Sequence, residues 1–254
     1  MCVRNKKTYA LNVNGFEVKA EYDSWEEENV LDPVIDLLAS IRSKNFGNGK
    51  TVAFFSGPPG AGKSTFALSL CRRAQDRNIG FSFECLGLDG FHKTKSELAR
   101  TLIEIDGKRI CLIDRKGAPE TFDAEAFSET LEKVKYRKSF MWPVYDRRIH
   151  DVADCQTKVM GEILLIEGNW LMLPGVWAEA RKMCDASFSI DADDALLKER
   201  LIDRKMRGGK TRGEASEWFD RVDGPNISFY RQASAPADVN IVLKNGILVL
   251  SNKF

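Results

Sequence analysis

Gly57-Pro58-Pro59-Gly60-Ala61-Gly62-Lys63-Ser64 follows the apolar run Val52-Ala53-Phe54-Phe55 and leads into Thr65-Phe66-Ala67-Leu68-Ser69-Leu70. The spacing G-x-x-x-x-G-K-S, with a strand pattern before it and a helical pattern after it, is that of a phosphate-binding loop. Its glycines let successive backbone N–H groups turn inward on an anion, and the helix that follows adds a partial positive charge at its N-terminus. In such a loop the lysine, here Lys63, reaches the β- and γ-phosphates, and the Ser64 hydroxyl is placed to ligate Mg²⁺. The nucleotide-contacting set is Gly57, Pro58, Pro59, Gly60, Ala61, Gly62, Lys63, Ser64 and Thr65. The motif implies ATP with Mg²⁺.

Outward from this loop the chain alternates strand and helix patterns. Strands are expected over 51–55, 81–88, 140–145, 162–166 and 186–190, and helices over 64–76, 124–136, 195–207 and 213–233. Alternation of this kind gives an α/β fold, a mainly parallel sheet covered by helices on both faces. Asn14-Gly15 between 9–13 and 16–18, and Asn245-Gly246 between 239–243 and 247–250, each predict a tight β-hairpin. Asp32-Pro33 has the form of an N-cap and first-turn proline, ahead of a stripe of Val34, Leu37, Leu38 and Ile41. Residues 1–50 are expected to form a hairpin and helix packed on a main domain over 51–254.

The chain has 254 residues, 43% of them hydrophobic, enough for a substantial core. Thirty-eight Lys and Arg stand against 37 Asp and Glu, so composition points to neither a nucleic-acid nor a membrane surface. No apolar core follows the first seven residues, and the expected location is cytoplasmic. Six scattered cysteines and two histidines argue for reduced thiols and against a multi-histidine metal site.

Ligands of open parallel sheets sit beyond the carboxyl ends of the strands. Two acids fall at such ends: Asp89, opening Asp89-Gly90-Phe91-His92, and Glu167, after Ile163-Leu164-Leu165-Ile166. Beside a Mg·ATP loop, one carboxylate can take a proton from an attacking hydroxyl and the other can assist the metal. Asp89 is assigned the first role and Glu167 the second.

At these residues the chain resembles the uridine kinase, phosphoribulokinase and pantothenate kinase group of P-loop kinases. Such a resemblance implies a P-loop NTPase fold in three layers, α/β/α, with the two β-hairpins added at the ends. Asp89-Gly90-Phe91 is similar to the D-G-F of bacterial pantothenate kinases, and residues 116–123 to their K-G-x-P-E-[ST]-[YF]-D. The combination D-G-F-H with G-A-P-E-T-F-D most resembles a branch that includes a yeast ATP-dependent kinase and bacterial fructose-transport-system kinases. Pro143-Val144-Tyr145-Asp146 resembles the P-x-Y-D of uridine kinases, which implies that Tyr145 and His150 line the acceptor site. Gly117 stands where uridine kinases carry the aspartate that grips ribose, which lowers a nucleoside among the acceptors.

His92, Arg115, Lys116, Asp123, Tyr145, Arg147 and His150 complete the acceptor-side set, with Asp123 equally suited to capping the next helix. Arg115, Lys116, Arg147 and Arg148 beside one cleft favour an anionic acceptor. Arg200, Arg204 and Arg207 recur at i, i+4 and i+7 before Gly208-Gly209, the pattern of a lid near 200–212, in which Arg204 and Arg207 are the expected phosphate contacts. Asp223-Gly224-Pro225-Asn226 resembles the D-x-P-N that follows the group's lid helix.

The resulting expectation is phosphoryl transfer from Mg·ATP to a hydroxyl of a sugar, sugar phosphate, pantothenate-like acid or nucleoside. A homodimer is compatible with the sequence. The rival is a P-loop ATPase switch without a small acceptor. No N-K-x-D guanine motif is present, and the strand before Glu167 ends in Glu-Gly where a motor ATPase usually has Asp-Glu.

Overall fold

The computed structural model describes residues 6–13, 15–45, 47, 49–105, 107–137, 139–146 and 149–251, with Asp154 as backbone only. Twelve strands occur among them: β1 (Lys6–Val13), β2 (Phe16–Asp23), β3 (Thr51–Ser56), β4 (Phe83–Gly87), β5 (Leu102–Ile105), β6 (Lys108–Cys111), β7 (Phe140–Asp146), β8 (Asp151–Val159), β9 (Ile163–Gly168), β10 (Ala186–Ala192), β11 (Val239–Lys244) and β12 (Ile247–Leu250). The helices are α1 (Ser24–Glu26), α2 (Asp32–Lys44), α3 (Lys63–Asp76), α4 (Lys95–Arg100), α5 (Ala124–Tyr136), α6 (Val176–Arg181), α7 (Asp194–Arg207), α8 (Arg212–Trp218) and α9 (Gly224–Ala233).

The central sheet runs β12-β11-β10-β3-β9-β4 and is parallel except for the edge strand β12. Every residue of β3 and β9 is buried, as expected of inner parallel strands covered on both faces. Alternate residues feed two cores. Ala53, Phe55, Ile163 and Leu165 face one cluster with α2, α3 and α7, while Val52, Phe54, Leu164 and Ile166 face a second with α5, α6 and β7. This two-sided burial is the α/β/α sandwich that the alternating pattern implies.

Three local expectations change, the first being that the helix expected over 213–233 divides into α8 and α9 around a wider turn at Phe219–Asp223. Residues 140–145 do not join the central sheet; β7 pairs antiparallel with β8 as a separate hairpin. Pro143 within β7 cannot donate to a ladder, and the register shifts beside it, which suits a short hairpin and not an inner strand. Asp32 does not cap a helix. The chain is already helical from Ser24, and Glu27–Leu31 forms a wider turn leading into α2. Pro33 has no N–H to give the preceding turn, so a widened turn is accommodated just before it. The Asp32 carboxylate instead receives Arg73 of α3 through Nε at 2.8 Å and Nη2 at 2.9 Å.

Both terminal hairpins are present. β1 pairs with β2, with Asn14 of the expected turn outside the described residues, and β11 pairs with β12 through Asn245 (φ 51°) and Gly246 (φ 77°). Tyr9 of β1 donates to Glu27, and Tyr22 of β2 donates to Ser69 of α3 at 3.1 Å. Buried Glu26 accepts from Asp23 N at 3.1 Å and from Leu248 N of β12 at 2.9 Å, so one side chain joins the two hairpins.

Candidate active site

Register places the site. Phe55 of β3 and Gly87 of β4 are both register partners of Glu167 in β9. The carboxyl ends of three adjacent strands therefore deliver the phosphate loop, Glu167 and the Asp89 turn side by side. Each follows from a strand ending at the same level of a parallel sheet.

Residues 57–62 turn from β3 into α3, with Gly62 at φ 97° immediately before the helix, a left-handed conformation open to glycine and strained for other residues. Lys63 is 7% exposed, and its Nζ donates to the Pro58 carbonyl at 2.9 Å, lying over the loop it belongs to. Ser64 is in the first turn of α3. The loop rests on α7: a Cβ placed on Gly60 would be 3.1 Å from Leu201 Cγ.

Glu167 is 6% exposed at the end of β9, and its Oε1 is 3.2 Å from where a Gly87 Cβ would be. Asp89 lies in a single tight turn, Leu88–Phe91, in which its carbonyl accepts from His92 N at 3.2 Å. That turn is clamped. Trp142 Nε1 of β7 donates to the Gly87 carbonyl at 3.0 Å, and a Cβ on Gly90 would lie 2.1 Å from the Pro143 carbonyl oxygen. Gly90 is the residue that lets β7 approach so closely.

The residues expected from the sequence to bound an acceptor form a second group beyond this turn. His92 stacks on Phe122 with ring centroids 3.7 Å apart and tilts toward Tyr145 at 5.4 Å. Lys116 Nζ donates to the His150 carbonyl at 2.7 Å, lies 3.8 Å from Asp151 and sits 5.2 Å from the Tyr145 ring centroid. Burial pulls the Lys116 ammonium below its usual range, opposed by Asp151 and Asp89. His150 has φ 54° and approaches Gly208 at the end of α7, 4.0 Å from its would-be Cβ. The β7–β8 hairpin thus meets the lid. Trp170 Nε1 fixes the Gly117 loop by donating to its carbonyl at 3.1 Å.

Some sequence-selected residues are engaged elsewhere. Arg115 is paired with Glu120 at 2.9 Å, and the Asp123 carboxylate caps α5 by accepting from Ala126 N at 2.9 Å. Arg147 and Arg148 lie outside the described residues. Arg204 is half-buried, and Arg207 is exposed.

Arg200, passed over in favour of Arg204 and Arg207, is the member of that stripe at the phosphate loop. Its Nη1 donates to the Gly60 carbonyl at 3.2 Å, and burial lowers its pKa against Asp193, Glu199 and Tyr22. Sequence spacing gave no signal for this: which turn of α7 passes the loop depends on β10 lying beside β3. A cleft of about 620 Å³ adjoins the acceptor side, with Lys93, Arg115, Phe122, Trp177, Asn226 and Phe229 among its walls. Lys63, Asp89 and Glu167 are not in its lining, so it flanks the carboxylates without containing them.

The donor set fits a nucleotide-bound Mg²⁺. Among the described residues no group of three or more His, Cys, Asp or Glu could hold a metal alone, and Mg²⁺ is commonly held by one or two protein groups with phosphate oxygens. Ser64 and Glu167, beside the loop, are the residues that would hold it. The five described cysteines are all free. No helix among the described residues is long and apolar enough to cross a membrane.

No family model matches the chain. It is 38% identical over 218 residues to the uncharacterised protein YggC of Escherichia coli (strain K12), covering 85% of this chain and 87% of that protein. It is 29% identical over 153 residues to the pantothenate kinase of Lactococcus lactis subsp. lactis (strain IL1403), where it spans 47% of the relative's length. Among solved structures, a candidate fructose transport system kinase from Silicibacter sp. TM1040 superposes with a TM-score of 0.68 at 27% identity, covering 81% of this chain and 98% of that one. YFH7 from Saccharomyces cerevisiae gives a TM-score of 0.66 at 15% identity, over 85% of this chain and 99% of that one, a likeness of fold.

Proposed function

Because the chain belongs to the P-loop kinase group of the uridine kinases, phosphoribulokinases and pantothenate kinases, in the family of YggC, we propose that it is an ATP-dependent small-molecule kinase. The reaction would move the γ-phosphoryl group of ATP to a hydroxyl of a small acceptor. One observation carries this reading: the register partners Phe55, Glu167 and Gly87 align the phosphate loop with two carboxylates. An ATPase switch has use for a metal-assisting acid such as Glu167. A second carboxylate, clamped in a turn beside it, has its natural use in receiving a proton from an acceptor hydroxyl.

In this reading Lys63 and the loop amides hold the phosphates, and Ser64 and Glu167 hold Mg²⁺, which would neutralise phosphate oxygens. Asp89 orients the hydroxyl and takes its proton as the new O–P bond forms. Arg200 steadies the loop, while Arg204 and Arg207 supply positive charge from the lid and exclude water. His92, Tyr145, Lys116 and His150 bound the acceptor.

A sugar or sugar phosphate leads the acceptor classes, then a pantothenate-like hydroxy acid, then a nucleoside. The Arg115–Glu120 pair removes one cation from the case for an anionic acceptor, leaving Lys116, Arg147 and Arg148 of the four to carry it. Partners other than the acceptor are not part of the proposal.

The test is ADP release from Mg·ATP across sugars, sugar phosphates, hydroxy acids and nucleosides, with Asp89→Asn alongside. Stimulation by one acceptor is expected, with kcat lower by about 10²–10⁴ in the variant and Mg·ATP affinity retained. Steady ADP release that no acceptor changes would overturn the kinase reading in favour of the switch.

A further inference from the structure

The cleft of about 620 Å³ beside the acceptor loop has the size of a small-molecule site, and neither the phosphate loop nor the two carboxylates line it. Phe122 and Trp177, both buried, form an apolar wall with ring centroids 6.2 Å apart. The Phe122 ring also stacks on His92, three residues beyond Asp89, so the cleft adjoins the turn that carries Asp89. Val176 of α6 and Phe229 of α9 line the same cleft while 41% and 46% exposed. Phe229 leans on Trp170, 6.1 Å between centroids, and Trp170 holds the Gly117 loop. One exposed apolar side chain is ordinary. Two on the rim of one apolar cleft mark a surface that a ligand would cover.

Asn226 supplies an independent observation. It is 5% exposed, it lines this cleft, and its side-chain amide makes no hydrogen bond among the described residues. Its Nδ2 is 3.9 Å from a would-be Cβ on Gly117, so the amide lies where the cleft meets the acceptor loop. A buried amide without a partner weakens a fold, and a hydrogen bond from a ligand removes that cost. The charged groups of the cleft are turned to one another. Arg115 pairs with the Glu120 carboxylate at 2.9 Å, and Lys93 Nζ donates to the Glu120 carbonyl at 3.2 Å. What remains for a ligand is apolar surface and one amide.

We infer that this cleft holds the non-reacting part of the acceptor, and that this part is uncharged and apolar, with one polar atom met by Asn226. This rests on the kinase reading and narrows its acceptor. The hydroxyl that receives the phosphoryl group belongs to a molecule with an apolar end, carried on a sugar ring or on an open chain. A bare sugar phosphate would leave Val176 and Phe229 uncovered.

The experiment uses two uncharged series, vicinal alkanediols from propanediol to octanediol and alkyl β-glucosides from methyl to hexyl. Each is titrated into the full chain with Mg·ADP present, and binding is read by ligand-observed NMR. Affinity should rise with chain length by up to about fourfold per added CH₂, the value of a fully buried methylene. A rise confined to the diols supports an open-chain acceptor, and one confined to the glucosides supports a ring. Val176→Ser with Phe229→Ser, two changes at exposed positions, should abolish the rise and leave Mg·ADP affinity and Tm unchanged. For the acceptor that stimulates ADP release, Phe229→Ser should raise KM about tenfold with kcat unchanged, because a contact remote from the reacting atoms binds ground and transition states alike. Affinity that ignores chain length in both series, a rise that survives in the double variant, or an unchanged KM would overturn the inference while the kinase reading stands. ADP release that no acceptor changes would overturn both.

Discussion

Gly90→Ala is the smallest change that should separate the Asp89 turn from the phosphate loop. A methyl there would lie 2.1 Å from the Pro143 carbonyl oxygen and 2.6 Å from its carbon. A carbon and a carbonyl oxygen settle at about 3.3–3.6 Å, so turn and strand must part by roughly 1.2 Å or more. Neither side yields freely, because Trp142 Nε1 holds the Gly87 carbonyl and the contact is backbone to backbone. Overpacking of this kind costs about 1–3 kcal/mol. At about 2–4 °C per kcal/mol for a chain of this size, Tm should fall by roughly 2–12 °C. A shift of about 1 Å in a catalytic group is worth about 10²-fold in rate, so kcat should drop by that order. The loop on β3 is untouched, and Mg·ATP affinity should hold. Thermal denaturation, calorimetric ATP titration and acceptor-dependent ADP release measure the three quantities. Wild-type Tm and kcat in the variant would refute the claim that close approach of β7 fixes Asp89.

Lys63→Ala should abolish phosphoryl transfer in a folded protein; turnover near that of the natural chain, with an unchanged circular dichroism spectrum, would remove the phosphate-loop assignment. Arg200→Met should weaken Mg·ATP binding by about 10–150-fold, as expected from losing one charge-assisted hydrogen bond of about 1.5–3 kcal/mol, because Arg200 holds the Gly60 carbonyl. Titration calorimetry measures it, and an unchanged affinity would confine Arg200 to packing α7.

The phosphate loop, both terminal hairpins and the carboxylates at strand ends were legible in sequence because each is a short-range signal. Apolar runs end at Ser56 and Gly168, and Asn-Gly fixes a turn whatever surrounds it. Lateral order was not legible: nothing local says that β9 lies between β3 and β4, yet that order puts Glu167 next to Asp89. The hairpin of β5 and β6 was missed despite Asp106-Gly107 between two alternating runs, a turn signal of the same kind. The clamp on Gly90 was not legible either, since Pro143 lies 53 positions away and only packing brings it close. Arg200 shows a subtler limit. Its spacing marked a stripe, and only the path of α7 over Gly60 reveals which member touches the loop.

Glu26 and Leu248 are 222 positions apart and joined by a buried hydrogen bond. On a ribosome adding about 5–20 residues per second, roughly 11–44 s separate their synthesis. Until β12 emerges, one carboxylate oxygen of Glu26 lacks its native partner, and the hairpin of β1 and β2 cannot close against the last strand. The packing of that hairpin on α3, where Tyr22 donates to Ser69, is therefore completed only once β12 is in place.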